Sequence, residues 1–232
     1  MQRNDYFHSL CSNDVGIFDL VASKAKKMGF EFSAFGMKLP FPLSMPRIVL
    51  QNNYLDSWNQ RYAAQAYLGV DPTVRHGLRS DNLIVWDPEQ FRDAGDLWED
   101  ANAHGLYHGL GVARRLENGT IGMLNLARGA DPISVQEAQH VATEIALMTD
   151  MLVVTGSNAL TELHVPESLA SLSEREKEIL RWTADGKTSS EIGQILHLSL
   201  ATVNFHVNKM LVKLNAVNKT QAVVKALMLG ML

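Results

Sequence analysis

Between residues 172 and 221 the chain marks helix starts too often for a strand-rich fold. Ser173-x-x-Glu176 and Thr188-x-x-Glu191 each set a hydroxyl residue three positions before a glutamate. In that arrangement the hydroxyl accepts a backbone N–H of the first turn and the carboxylate reaches back to the capping residue's own N–H. Gly186 lies between the two where one helix must stop, since a left-handed residue is cheap without a Cβ. Ser199 suits the start of a third helix, and Asn218-x-x-Gln221 the start of a fourth running through VVKALML. Four short helices in about 60 residues bury their apolar stripes only against one another, which predicts a small all-α bundle.

The second and third helices, TSSEIGQIL and ATVNFHVNKMLVKL, are separated only by HLSL, the compact connection of a helix-turn-helix. Val203, Val207, Met210, Leu211 and Leu214 form an apolar stripe on the third helix, while Thr202, His206, Lys209 and Lys213 follow one another along another side. With Asn204 and Asn208 beside them, these offer amides and hydroxyls to base edges and ammonium groups to phosphates. Lys187 and Thr188, where the second helix starts, complete the set of expected DNA contacts. A polar face with lysines is what any surface helix presents. The tight turn, the doubled capping and the local charge favour double-stranded DNA over that plainer reading. The whole chain is acidic, with net charge −4, yet residues after 170 hold eight Lys and Arg against five Asp and Glu, leaving 13 against 20 before them.

The first two-thirds have a different texture. Residues 14–28 place Ile17, Leu20, Val21 and Ala25 at helical spacing behind Asp14, and Gly29 ends that helix. FEFSAFGM and RIVLQ favour strands on either side of a loop stiffened by Pro40, Pro42 and Pro46. Two strand-like runs flank Glu117-Asn118-Gly119 within 107–128, a strong hairpin signal. A helix fits 134–155. Helices around an antiparallel sheet make an α+β domain, an α-β-α sandwich ending near residue 157. Residues 158–170 then read as a linker to the helix-turn-helix domain at 171–232.

Within that domain, 53-NYLDSWNQRYAAQAYLGVDPTV-74 gathers Tyr54, Trp58, Tyr62 and Tyr67 in a chain that is only 7% aromatic. Tyr54, Trp58 and Tyr62 stand at i, i+4 and i+8 on one helix face, a pattern more common in cores than in ligand cages. Asp71 before Pro72 is by itself a good helix cap.

Other chemistries lack their residues. GLGVAR misses the last glycine of a dinucleotide loop, and neither a phosphate-binding GK[ST] loop nor G-x-S-x-G occurs. His104-x-x-x-His108 has metal-like spacing, but Gly105 and Gly109 disfavour the helix it needs. Cys11 is the single cysteine, which excludes an intramolecular disulfide. The opening residues lack a signal-peptide core, and no apolar run approaches the roughly 18 residues of a membrane span. A cytoplasmic protein without catalytic activity, metal or cofactor is expected.

Residues 172–232 resemble the DNA-binding domain of LuxR-type regulators, through SEREKEIL, GKTSSEIG, TVNFHVNKML and NKTQAVVKA. The resemblance implies a recognition helix from about Ser199 to Leu214 and a dimer contact on the last helix. Residues 14–157 resemble the acyl-homoserine lactone sensor domain of quorum-sensing LuxR-type proteins, through GFEFSAFG, NYLDSWNQRY, VDPTVRHGL, IVW and LWEDANAHGL. A phosphorylation-receiver domain, which shares such tails, needs a doubly wound parallel sheet that this pattern does not suggest. The resemblance implies a small-molecule autoinducer as ligand, with Trp58 donating to the lactone carbonyl, Asp71 accepting the amide N–H and Tyr54 donating to the acyl carbonyl. Trp86 and Trp98 would wall the ring, and Tyr62 and Val74 the tail. Asn125 stands where the family usually has a small hydroxyl residue, and Met37 and Met123 would add adaptable walls if they face inward. A homodimer on a roughly palindromic site, with a possible contact to RNA polymerase, is implied as well. The competing expectation is a ligand-independent DNA-binding protein whose aromatic cluster is core alone.

Overall fold

A computed structural model describes residues 15–40, 42–44, 46–164 and 172–232. Cys11, Asp14 and the end of the expected linker, 165–170, lie outside the described residues. The chain divides into two compact units, Met1–Ser157 and Asn158–Leu232.

In the first unit, α1 (Val15–Lys27) buries Phe18, Val21 and Ala25, a stripe at i, i+3 and i+7. That spacing turns Leu20, expected on the inner face, to the opposite side, where it is 67% exposed. Gly29 follows at φ +89°, a conformation in which a Cβ would be strained. The strands are β1 (Phe32–Lys38), β2 (Ile48–Asn52), β3 (Ile84–Val85), β4 (His108–Arg115) and β5 (Ile121–Arg128). They form one antiparallel sheet in the order β2-β1-β5-β4-β3. Gly119, at φ +86°, turns the expected β4–β5 hairpin.

Strand alternation gives the sheet two faces. Phe35, Met37, Leu124 and Leu126 are fully buried on one, with Gly122 admitting α5 (Val135–His164) so closely that a Cβ there would meet Val153 at 2.2 Å. Lys24 of α1 pairs with Glu144 of α5 along the outer surface of that layer. The other face carries Ala34, Gly36, Met123, Asn125, Gly109 and Gly111 beneath α2 (Asp56–Ala64), α3 (Pro72–Gly77) and α4 (Gly95–Ala103). The layers are α-β-α. Helix α5 runs on past Thr155 to His164, into the segment expected as linker.

The second unit contains α6 (Glu174–Ala184), α7 (Ser189–Leu196), α8 (Leu200–Lys213) and α9 (Lys219–Met228). Both capping boxes form, and Ser199 and Asn218 cap α8 and α9 through the backbone N–H groups of Thr202 and Gln221. Ile179, Leu180, Ile192, Val203, Met210, Leu214 and Ala222 close its core with no exposed surface.

Candidate ligand cavity and nucleic-acid interface

Beneath α2 and α3 the sheet floors a cavity of about 170 Å³. A single water needs only about 10–15 Å³ measured in this way, so the space exceeds a packing defect. Glycines make the floor low. A Cβ on Gly109 would stand 2.4 Å from the Trp86 indole, and one on Gly111 2.3 Å from Asn125 Oδ1 and 2.7 Å from Met123 Cε. Trp86 and Asn125 therefore lie flat on β4.

Every expected ligand residue, Tyr54, Trp58, Tyr62, Asp71, Val74, Trp86, Trp98 and Asn125, lines this cavity. Trp58 is 4% exposed, packed edge-on against Tyr62 with centroids 5.6 Å apart and stacked with Tyr67 at 6.3 Å. Trp86, Phe91 and Trp98 make a second aromatic chain, with centroid separations of 6.2 and 4.8 Å. Phe91, buried in its middle, is a wall that the sequence reading missed, because it falls in a polar stretch with no periodicity.

Asp71 both caps and turns inward. Its Oδ1 accepts the Thr73 backbone N–H at 2.8 Å and the Thr73 hydroxyl at 2.7 Å, capping α3. Its Oδ2 accepts the Tyr62 hydroxyl at 2.9 Å. A carboxylate offers about four acceptor positions, so capacity remains on the oxygen that faces Tyr62. Burial pushes the Asp71 carboxyl above its usual value, against the lowering pull of Thr73 and Tyr62. Burial, then the neighbouring Asp71, pushes the Tyr54 hydroxyl up, so it stays a proton donor at neutral pH. Tyr62, expected to line the tail's path, lines the cavity while its hydroxyl is spent on Asp71, so its ring is the surface it offers there.

Two further residues stand elsewhere than expected. Met37 borders the cavity on β1, but it pairs with Gly122 and its side chain points to the α5 side, where a Cβ on Gly156 would meet its Cε at 3.0 Å. Tyr67, to which the sequence assigned no role, donates to Asp100 Oδ2, which Arg61 Nε also reaches at 2.6 Å. Hydrogen bonding from Arg61, then from Tyr67, holds the Asp100 carboxyl below its usual range. The pair bolts α2 to α4 beside Trp58. His104 donates from Nδ1 to the Asp100 carbonyl at 2.7 Å just past α4, while His108 begins β4, so the two share no helix face.

On α8 the outermost residues are Leu200, Ala201, Asn204, Phe205, Asn208, Lys209 and Val212. Asn204, Asn208 and Lys209 are thus exposed as expected, and Lys187 and Thr188 are exposed at the start of α7. The other expected contacts, Thr202, His206 and Lys213, are less exposed, and some of the polar groups are already engaged. Thr202 and His206 are half-buried, the Thr202 hydroxyl shares a hydrogen bond of 2.8 Å with Ser199, and Thr188 spends its hydroxyl on Glu191 at 2.7 Å. Lys213 reaches inward to Glu176 at 2.7 Å. The sequence row ran along the flank of the helix. Phe205, 55% exposed with the Lys209 ammonium 4.6 Å from its ring centre, belongs to the outer face and was missed.

Known proteins share both halves. Residues 13–153 match the family described as autoinducer binding domain, and residues 170–226 that described as bacterial regulatory proteins, luxR family. The transcriptional activator protein SolR of Ralstonia nicotianae is 40% identical over 227 residues, which cover 97% of this chain and 95% of SolR. A crystal structure of Escherichia coli SdiA superposes with a TM-score of 0.77 at 33% identity, covering 95% of this chain and 92% of that one. SdiA in complex with octanoyl-rac-glycerol gives 0.75 at 34% identity, covering 94% and 88%.

Proposed function

The chain belongs to the LuxR-type quorum-sensing transcriptional regulators, with an autoinducer-binding domain ahead of a helix-turn-helix, and on that premise we propose that its autoinducer is an N-acyl-homoserine lactone held in the cavity under α2 and α3. The observation that carries this is the grouping of the Asp71 carboxylate with the donors Tyr54 and Trp58 on a largely apolar cavity. An acyl-homoserine lactone presents one amide N–H, two carbonyl oxygens and an apolar tail, the complement of that set. Trp86, Trp98 and Phe91 wall the lactone ring in this reading, and Val74 and Met123 meet the tail. The relative SdiA, which takes up octanoyl-rac-glycerol, supports an acyl chain beneath a polar head as the shape that such a cavity admits.

Residues 1–157 act as the sensor and 171–232 as the DNA-binding part. Leu147, Met151 and Val154, at i, i+4 and i+7 of α5, are 45–55% exposed and form an apolar stripe suited to a second copy of the chain. Two-fold pairing would set two recognition helices about one DNA turn apart. A species sedimenting as a monomer in the presence of ligand and operator would count against it. Among the described residues no helix is long and apolar enough to cross a membrane. A regulator that reads promoter DNA works in the cytoplasm, where RNA polymerase is the partner an activator would engage.

Thermal melting of the full chain with and without a panel of acyl-homoserine lactones tests the ligand. A ligand at 100 times its Kd stabilises by about 2.7 kcal/mol, a shift of several degrees. An unchanged midpoint at saturating concentrations would favour the aromatic cluster as core alone. On the DNA side, Lys209→Ala is expected to lower the slope of log affinity against log salt by about 0.9, the release of one phosphate's counterions. A slope equal to that of the unsubstituted chain would remove Lys209 from the phosphate contacts.

A further inference from the structure

Two polar atoms on the cavity floor have no hydrogen-bond partner: the carbonyl oxygen of Asn125 and the indole N–H of Trp86. Both are buried, and both residues line the cavity. Asn125 pairs directly with Ala34 on β1 and with Gly111 on β4, so neither cross-strand neighbour has a polar side chain to offer it. Turning the amide half a turn only exchanges an unmet acceptor for an unmet donor. Trp86 lies over Gly109 and Asn125 over Gly111. These glycines are two residues apart on one face of β4, about 7 Å by strand geometry. An unmet donor and an unmet acceptor therefore belong to residues that lie over neighbouring glycines of the same floor.

The row also fixes which part of a ligand they meet. Ala34, beside Asn125, pairs on its other side with Asn52, whose Oδ1 accepts the backbone N–H of Tyr54 at 3.0 Å. Asn125 is thus level with the polar end of the cavity. The cavity continues from there along β1 to Lys38, Ile48 and Ile121, four residues further on, or about 13 Å. What lies over Asn125 is the start of an acyl chain, not its end.

We propose that the cavity selects an acyl-homoserine lactone bearing a hydroxyl near the carbonyl end of its chain, with Asn125 accepting from that hydroxyl and Trp86 donating to it. The proposal rests on the lactone reading above. A hydroxyl donates and accepts through one oxygen and so satisfies both groups, whereas a keto oxygen answers only the donor and a methylene neither. Buried polar groups that one ligand satisfies and its analogue leaves unmet are the strongest source of discrimination between close relatives.

Affinities of the full chain for 3-hydroxy, 3-oxo and unsubstituted lactones of equal chain length decide the matter. The 3-hydroxy ligand is expected to bind roughly tenfold more tightly than the unsubstituted one, with the 3-oxo ligand between them. Asn125→Val, similar in size but without the amide, is expected to reduce that preference to within about twofold, and Trp86→Phe, which keeps a ring over Gly109, to weaken it. Unsubstituted or 3-oxo lactone binding as tightly as 3-hydroxy to the unsubstituted chain overturns the proposal, whatever the variants do. A preference that survives in Asn125→Val overturns it too. Absence of binding by all three series overturns the lactone reading with it, a result readily told apart from binding without preference.

Discussion

Asp71→Asn is expected to weaken lactone binding by about 10- to 100-fold while leaving the fold in place, the range for losing a buried hydrogen bond to a charged group. Asparagine caps a helix about as well as aspartate. The bond to the Thr73 backbone N–H therefore survives in the variant, and with it the start of α3. What changes is the second side-chain atom. Oδ2, which accepts the Tyr62 hydroxyl at 2.9 Å, becomes an NH2 donor facing a ligand N–H, so the ligand loses its acceptor and meets a like group. A titration showing unchanged affinity would return Asp71 to capping alone.

The same residue gives binding a pH dependence. Burial raises the Asp71 carboxyl in the folded protein above its unfolded value. Its protonated form is therefore the one that folding favours: that contribution to stability is present below the unfolded value and lost as pH rises through the folded one. Ligand reverses the preference, because an amide N–H donates to the ionised carboxylate. Affinity should accordingly fall as pH is lowered through the raised value of Asp71, and Asp71→Asn should flatten that profile. A wild-type profile as flat as the variant's would place the amide elsewhere.

What the sequence made legible was what is local. Ser173, Thr188, Ser199 and Asn218 all cap helices as their spacing suggests, since a cap and its partner lie within one turn. Tyr54, Trp58 and Asp71 line one cavity, in keeping with the resemblance, although only Trp58 lies on α2: Tyr54 precedes the helix, which starts at Asp56, and Asp71 caps α3. Contacts between distant segments left no such trace. Tyr67 and Arg61 meet Asp100 from 33 and 39 residues away, with no spacing rule to announce it. Met37 and Met123 read alike as strand methionines, yet the register sets Met123 opposite Gly36 and Met37 opposite Gly122, on opposite faces. The outer face of α8 was misjudged by part of a turn, because alternate polar rows on a helix look alike until the core claims one. Lys213 belongs to the row that the core claimed.

Lys213→Ala should accordingly destabilise the helix-turn-helix unit by about 2–3 kcal/mol and leave the salt dependence of DNA binding with its original slope. Its ammonium lies 2.7 Å from Glu176, whose side chain is only 3% exposed. Burial pushes the Glu176 carboxyl up, but Lys213 and the capping contacts of Ser173 outweigh it and hold the carboxyl below its usual value. Removing the ammonium leaves a charge indoors with only its cap, the costly half of a broken buried pair, discounted here because Lys213 keeps some solvent contact. The paired double variant separates pairing from packing. Glu176→Gln retains a capping-box residue, since glutamine serves at that position, and with Lys213→Met it exchanges the ion pair for a neutral, similarly sized one. The double variant should recover most of the stability that Lys213→Ala loses. The pH profile carries the opposite sign to that of Asp71: a lowered carboxyl contributes stability above its unfolded value and loses it as pH falls through the folded one, so the stability of this unit should fall more steeply on acidification than that of either variant that lacks the pair. If Lys213→Ala instead melts like the unsubstituted chain and flattens the salt slope, the lysine leaves Glu176 to meet phosphate, and α8 turns a different face to the groove.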